Sequence, residues 1–345
     1  MIRKTGAFEK DGKINEVYTF TNKNGATMQM ITYGARITSL CVPDKNGNFS
    51  DVIVGCKNLC DYYDQKDYFG ATIGRYCNRI EKGKFTLNGR QYQLETNQNS
   101  HSLHGGKTAN FDRQIWSAEI KGDSLVFSLF SPDGAGGYPG NMQVKAIYTL
   151  TDDNQVVCEF IAKSDKDTIC NMTQHSFFNI GDDHDILEQE LMINASYITP
   201  CDKELIPHGD FLAVKDTPFD FTSPKAIKTH IHTPYKTAKT ERGYDCNFCI
   251  DRKTERELEH CATLFDKKSG RKLDCYTTLP GLQIYTTNYD GAFTFEGKKK
   301  YGLHSAICLE TQFYPNSPNC KEYPSTVLKR GEDFRHKTVY AFSVE

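Results

Sequence analysis

The chain has 345 residues, enough for two average domains or one large all-β unit, so a substantial core is available either way. Lys and Arg total 42 against 44 Asp and Glu, a formal net charge of −2 that supplies no strong field toward nucleic acid or anionic lipid. The hydrophobic fraction is 38%, and no apolar run approaches the roughly 20 residues of a membrane helix; no nucleic-acid partner and no membrane span are expected.

Residues 1–10 lack the apolar stretch of a secretory signal, and Phe342-Ser343-Val344-Glu345 matches no common address or lipidation signal. A cytoplasmic location is the resulting expectation. In a reducing compartment the 13 scattered cysteines read mostly as free thiols acting as small apolar residues.

In chain order, alternating strand-like segments meet at turn signals. Residues 17–32 break at Asn24-Gly25, and residues 35–54 break at Lys45-Asn46-Gly47-Asn48. Residues 85–94 place Asn88-Gly89 between two alternating runs, the strongest short-range hairpin signal. Gly122-Asp123, Asp152-Asp153-Asn154 and Ser269-Gly270 mark further hairpins. Helical pieces are short, near residues 58–65 and 223–230, and neither can organise a fold. Regular strand and turn spacing without amphipathic helices predicts an all-β, antiparallel sandwich or barrel-like architecture. With no linker, repeat or low-complexity segment, residues 1–345 read as a single domain.

Two signals look chemical and are better explained structurally. Cys246-Asn247-Phe248-Cys249 spells a CxxC, but on a strand side chains three apart point to opposite faces, which predicts two semi-buried thiols. Cys56 and Cys60 have no second ligand pair at matching spacing, so no structural metal is expected. The Gly-rich run from Gly134 to Gly140 leads into a strand-like segment, lacks the helix that phosphate cradling needs, and reads as a chain-reversing loop.

Four polar groupings interrupt the sheet pattern. Residues 97–106 carry His101 and His104 ahead of Gly105-Gly106, a pair that allows close backbone approach. His175 lies in Thr173-Gln174-His175-Ser176-Phe177-Phe178-Asn179. Glu310 follows an apolar run in Ile307-Cys308-Leu309-Glu310-Thr311-Gln312, where burial is costly unless the carboxylate is paired or used. An edge position facing water is the plainer reading of Glu310. Gly74-Arg75-Tyr76-Cys77-Asn78-Arg79-Ile80 offers guanidinium and amide donors suited to hydroxyls or carboxylates. By themselves these groupings suggest an acid/base enzyme or a polar-ligand binder.

The order and wording of these motifs resemble the aldose 1-epimerase family, the galactose mutarotases. The likeness runs almost the full length. It includes Tyr68-Phe69-Gly70-Ala71-Thr72-Ile73-Gly74-Arg75 with Asn78-Arg79-Ile80, then Ser102-Leu103-His104-Gly105-Gly106, and Ser131-Pro132-Asp133-Gly134 with Gly137-Tyr138-Pro139-Gly140. Thr173-Gln174-His175-Ser176, Gly243-Tyr244-Asp245, Leu282-Gln283-Ile284-Tyr285-Thr286 and Leu309-Glu310-Thr311-Gln312 follow.

The resemblance implies a large antiparallel β-sandwich of the supersandwich type, one open sugar cleft and no cofactor. It implies interconversion of the α and β anomers of a free hexose such as galactose or glucose. Glu310 matches the family's general base, ionised at neutral pH unless burial intervenes, given an ordinary value of about 4.3. His175 matches the general acid, which a modest upward shift from about 6.5 would keep protonated. His104 matches the second histidine, placed to bond the ring oxygen. Asn78, Arg79, Asp245 and Gln283 match sugar contacts, whereas His101 has no counterpart and reads as an exposed turn histidine. The chain departs from the family at Cys246, commonly His, and near Asn316, commonly Asp, which bears on sugar preference. A small-molecule sugar is the expected partner, and the chain itself is expected as a monomer or weak homodimer. The alternatives are a hexose-6-phosphate epimerase, which needs extra cleft cations with Lys107, Arg113 and Arg242 as candidates, or a non-catalytic sugar-binding protein.

Overall fold

A computed structural model describes residues 1–235, 242–255, 257–289 and 302–345. The alternating segments form antiparallel sheets of five, nine and six strands, with two-stranded ribbons between them. The predicted hairpins are borne out. Lys13–Thr21 pairs with Thr27–Ile31 across Asn24-Gly25, and Lys84–Leu87 with Arg90–Gln93 across Asn88-Gly89. The turns near residues 45–48, 122–123, 152–154 and 269–270 likewise join paired strands. The two helical pieces shrink to 3-10 turns at Leu59–Tyr63 and Ile227–Thr229. Among the described residues no helix is long and apolar enough to cross a membrane.

The six-stranded sheet positions the polar residues. Its strands run in the order Phe177–Phe178, Ile307–Gln312, Gly281–Tyr285, Asp245–Ile250, Ala195–Thr199 and Leu212–Ala213. Successive side chains on a strand point to opposite faces. Phe248, Leu282, Ile284, Ile307 and Leu309 therefore enter the main core, where Phe127, Tyr148 and Phe160 of the nine-stranded sheet and Phe20, Met28 and Leu40 of the five-stranded sheet join them. The other face collects Asp245, Asn247, Gln283 and Glu310. Register places Asn247 opposite Gln283 and Gln283 opposite Glu310, a polar row across three neighbouring strands. Glu310 thus lies on an interior strand, not at an edge, and is 2% exposed. From the nine-stranded sheet the Tyr340 hydroxyl donates to the Leu309 carbonyl at 2.8 Å and fixes the Glu310 strand from behind.

The sequence decoys resolve as structure. None of the 13 cysteines is in a disulfide. Cys246 joins the main core while Cys249 packs with Tyr314, Cys320 and Tyr323, so the CxxC is split between two clusters. Arg75, 1% exposed, serves the Gly-rich loop and not a ligand. Its guanidinium donates to Ser131 Oγ at 2.9 Å and to the carbonyls of Ser131, Pro132 and Pro139 at 2.8 to 3.1 Å.

Gly70 shows how tightly the chain passes below the polar face. Its φ is +63°, its N–H donates to the His175 carbonyl at 2.9 Å, and a Cβ there would stand 1.9 Å from the Ile37 carbonyl oxygen. Gly70→Ala is expected to cost on the order of 2–4 kcal/mol, read as a lowered urea midpoint. An unchanged midpoint would mean that the crossing of the two chains yields without cost.

Candidate active site

Two turns and one sheet bring the site together. Arg79–Ile80 pairs with Ser102–Leu103, and the chain then turns sharply at His104. Asn78 (φ +61°) and His104 (φ +51°) both adopt the left-handed region, which non-glycine residues enter rarely. Each holds the other: His104 N–H donates to the Asn78 carbonyl, and Asn78 N–H donates to His104 Nδ1, both at 3.1 Å. Gly105 bears out the expected close approach, since at φ +92° its Cβ would stand 2.2 Å from the Gly74 carbonyl oxygen. The Asn97 side chain pins the turn by accepting from Leu103 N–H at 2.7 Å and donating to the Leu103 carbonyl at 2.9 Å. On the far side Thr173–His175 pairs with Ala71–Ile73 and delivers His175.

All seven residues named from the sequence, Asn78, Arg79, His104, His175, Asp245, Gln283 and Glu310, line one cavity of about 90 Å³. A larger hollow of about 760 Å³, lined in part by Phe313, Phe334 and Lys337, contains none of them. His175 Nε2 lies 3.5 Å from Glu310 Oε1. His104 and His175 face each other with ring centroids 5.2 Å apart. Because His104 Nδ1 accepts a backbone N–H, its neutral ring carries the proton on Nε2 and presents a donor. Arg79 Nε donates to Gln98 Oε1 at 2.6 Å while Nη2 stands 3.8 Å from Asp245 Oδ2; Gln283 Nε2 donates to Asp245 Oδ1 at 2.6 Å. Among the described residues nothing hydrogen-bonds the buried Glu310 Oε2 and Gln283 Oε1, which suits them to meet a ligand.

Burial dominates the electrostatics. It pushes the Glu310 carboxyl well above the usual carboxylate range, with Asp245 adding to the effect and Arg79 opposing it. It pushes His175 down to about 3, and His104 well below its ordinary value, with His175 and Arg79 lowering His104 further. This corrects the expectation of an ionised Glu310 beside an upshifted His175. Desolvation penalises both charged forms, which favours a neutral pair with the proton on the carboxyl side. His104, His175 and Glu310 present donor atoms within 4.8 Å of one another, so the same three side chains are also spaced to hold a metal ion.

The structure also corrects the reading of His101. It is buried, 2% exposed, accepts from Lys82 N–H at Nδ1 (3.1 Å) and sits 3.4 Å from Glu204, outside the cleft. Lys107, Arg113 and Arg242 do not line the cleft; among the described residues its cations are Lys66 and Arg79. Asn316 pins the floor beneath Arg79: its N–H donates to the Arg79 carbonyl at 2.8 Å, its Oδ1 accepts from Glu81 N–H and its Nδ2 donates to the Pro207 carbonyl. Cleft residues that the sequence reading passed over are Tyr68, Gln98, Phe177 and Tyr285. Gln98 stands six residues before His104, and Tyr68 and Phe177 lie inside the motif segments, where an aromatic reads equally as sheet packing.

The buried carboxyl has a thermodynamic signature. A group whose folded value exceeds its unfolded one, about 4.3, stabilises the fold below that pH and forfeits the contribution as pH rises through the folded value. Glu310→Gln escapes that loss. The variant is expected to melt with the wild type near pH 4 and roughly 2–4 °C above it near pH 8. A variant that melts below the wild type near pH 8 would contradict the account of Glu310 as an unsupported buried acid.

The chain is similar over nearly its whole length to proteins of one family. The family described as Aldose 1-epimerase matches residues 16–341. The chain is 39% identical to galactose mutarotase of Sus scrofa over 320 residues, 92% of this chain and 91% of the relative. It is 33% identical to aldose 1-epimerase of Escherichia coli (strain K12) over 349 residues, covering both completely. Among solved structures, a galactose 1-epimerase from Lactobacillus acidophilus NCFM superposes with a TM-score of 0.86 at 25% identity, covering 100% of this chain and 98% of that one. An aldose epimerase homologue from C. elegans does so with 0.86 at 27% identity, covering 94% and 98%. A match over nearly the whole chain, on a mutarotase-like all-β fold with the motif residues gathered in one cleft, makes this protein a member of the aldose 1-epimerase family.

Proposed function

We propose that this chain interconverts the α and β anomers of free hexoses such as galactose and glucose. The observation that carries the reading is the buried Glu310–His175 pair, 3.5 Å apart and holding one proton between them. Mutarotation needs that inventory: opening the ring breaks the C1–O5 bond, moves the O1 proton to a base and supplies a proton to O5. Sugar entry shifts the shared proton from Glu310 to His175, with Arg79 favouring the carboxylate. Glu310 then takes the O1 proton as His175 Nε2 gives its own to O5. The aldehyde turns its other face, and the same groups run the transfers backwards. His104 donates from Nε2 toward the ring oxygen. Arg79, Asn78, Asp245 and Gln283 orient the hydroxyls, and the Arg79–Asp245–Gln283 chain of contacts gives them fixed directions.

Relatives named galactose mutarotase make galactose the first sugar to test. A phosphorylated sugar is disfavoured because, among the described residues, Lys66 and Arg79 are the cleft's cations, and Arg79 is already engaged by Gln98 and Asp245. The proposal includes residues 1–345 as a single domain, supported by one core shared among three sheets. It also includes a cytoplasmic enzyme without cofactor or nucleic-acid partner, acting as a monomer or weak homodimer.

Polarimetry of freshly dissolved α-galactose and α-glucose tests the activity. The wild type is expected to speed relaxation in proportion to its concentration; Glu310→Gln and His175→Asn are each expected to lose roughly 10²–10⁴-fold in kcat while still binding sugar. A folded wild type that binds galactose without turnover would leave a sugar-binding protein instead. The opposed shifts of Glu310 and His175 stretch the window of the one-proton state, so kcat/KM is expected to stay level well below about pH 6.5, where an ordinary histidine titrates. It then falls as a second proton adds, and on the alkaline side as the shared proton is lost. An acid limb centred at the ordinary histidine value would contradict the one-proton pair.

A further inference from the structure

His175 must carry a positive charge for part of each turnover, in a place where burial opposes it. Its surroundings are unusual for a buried acid. Among the described residues Nδ1 meets no carboxylate; it lies 3.7 Å from Cys308 Sγ, a thiol that burial keeps protonated. The ring itself is flanked by aromatics. Phe177 lies 5.1 Å away at 24° to the imidazole plane, and Tyr68 lies 5.7 Å away at 29°. Tyr68 also leans on His104, at 4.6 Å and 56°. Tyr68 adopts φ +56°, a conformation that a bulky residue enters only when its surroundings impose it. Phe177 is held by Phe69 at 4.7 Å and Tyr285 at 6.2 Å.

We propose that Tyr68 and Phe177 are positioning residues for the proton transfer, their rings stabilising His175 while its imidazole is transiently cationic. The inference rests on the acid/base reading above. An aromatic face attracts a cation through its quadrupole, most effectively where water is excluded. It binds no proton of its own. A second carboxylate at Nδ1 would hold the imidazolium too firmly for His175 to give the proton to O5, whereas two π faces lower the cost of charging the ring and leave the proton labile. The thiol at Nδ1 completes that neutral setting. Among the described residues, the titratable and charged groups around the ring are Glu310 at Nε2, the His104 imidazole, the Tyr68 phenol, the Cys308 thiol and, at longer range, Arg36; Lys66, Arg79, Asp245 and Asp67, which burial pushes up to about 6, line the same cleft.

The test replaces the π faces with apolar side chains that still fill space. Tyr68→Leu and Phe177→Leu are each expected to lower kcat about 10-fold with KM for galactose within about 3-fold. The acid limb of the kcat profile should move to lower pH, because a second proton now meets a less stable imidazolium. Tyr68→Phe keeps the ring face and is expected to recover most of the kcat that Leu loses. A purely structural role would move neither the limb nor separate Phe from Leu. Leu variants that keep wild-type kcat, or Phe and Leu variants that lose it equally with the limb unmoved, would overturn the proposal. Should Tyr68→Leu fail to fold, Phe177→Leu carries the same measurement. Wild-type enzyme in the same assay separates the two claims: no turnover there defeats the mutarotase reading, while an active wild type with unaffected Leu variants defeats this inference alone.

Discussion

The burial of two titratable groups that face each other, Glu310 and His175, is the constraint on which the rest of the structure depends. Glu310 and His175 are each penalised for carrying charge, and because they stand 3.5 Å apart the penalties settle on a common solution, a single proton shared across the gap. Exposed, with ordinary values, the carboxylate would be ionised near neutral pH and the imidazole would be passing through its titration. Burial instead favours the neutral arrangement, with the proton on the carboxyl side. The cleft is polar at its walls, and the Glu310–His175 pair is buried within it. Its charged pair, Arg79 and Asp245, sits to one side with its own partners in Gln98 and Gln283.

A β-sheet is well suited to this demand. Leu309 and Glu310 are neighbours, yet one fills the core and the other enters the cleft, so the residue that anchors the strand and the residue that lines the site share a backbone. The Tyr340 hydroxyl on the Leu309 carbonyl extends that anchorage to the nine-stranded sheet. His104 is held differently, by a reciprocal pair of bonds with Asn78 that also settles which ring nitrogen bears its proton. The sheet supplies a rigid wall, and the strained turn supplies a group that no regular strand could aim there.

Much of this was legible in the sequence, for identifiable reasons. Hairpins announce themselves through Asn-Gly pairs and alternation, and each predicted turn joins paired strands. The seven site residues were named because resemblance carried them, and the cleft gathers all seven. Local pattern alone left Glu310 with a plain edge reading, because strand order, which decides whether a position is interior, is set by pairing between segments far apart in the chain. The protonation of the pair was misjudged for the same reason: an ordinary value describes a solvated group, and desolvation is a property of the assembled fold. His101 was missed as a buried residue because its partners, Lys82 and Glu204, come from other loops. Tyr68 and Phe177 were invisible as functional groups because an aromatic in a strand-rich chain is what packing alone would choose.

The period-2 geometry of the site strands has an evolutionary consequence. A one-residue insertion or deletion within Ile307–Gln312 would send Leu309 into the cleft and Glu310 into the core, and the same slip in Asp245–Ile250 or Gly281–Tyr285 would exchange polar and apolar faces along the strand. These strands can change only by substitution. Variation in length is left to the connecting loops, such as the segments that carry Lys66, Gln98 and Tyr289 to the rim of the cleft. Lineages of this architecture are thus free to diversify which sugar is admitted while the proton-handling floor stays in register.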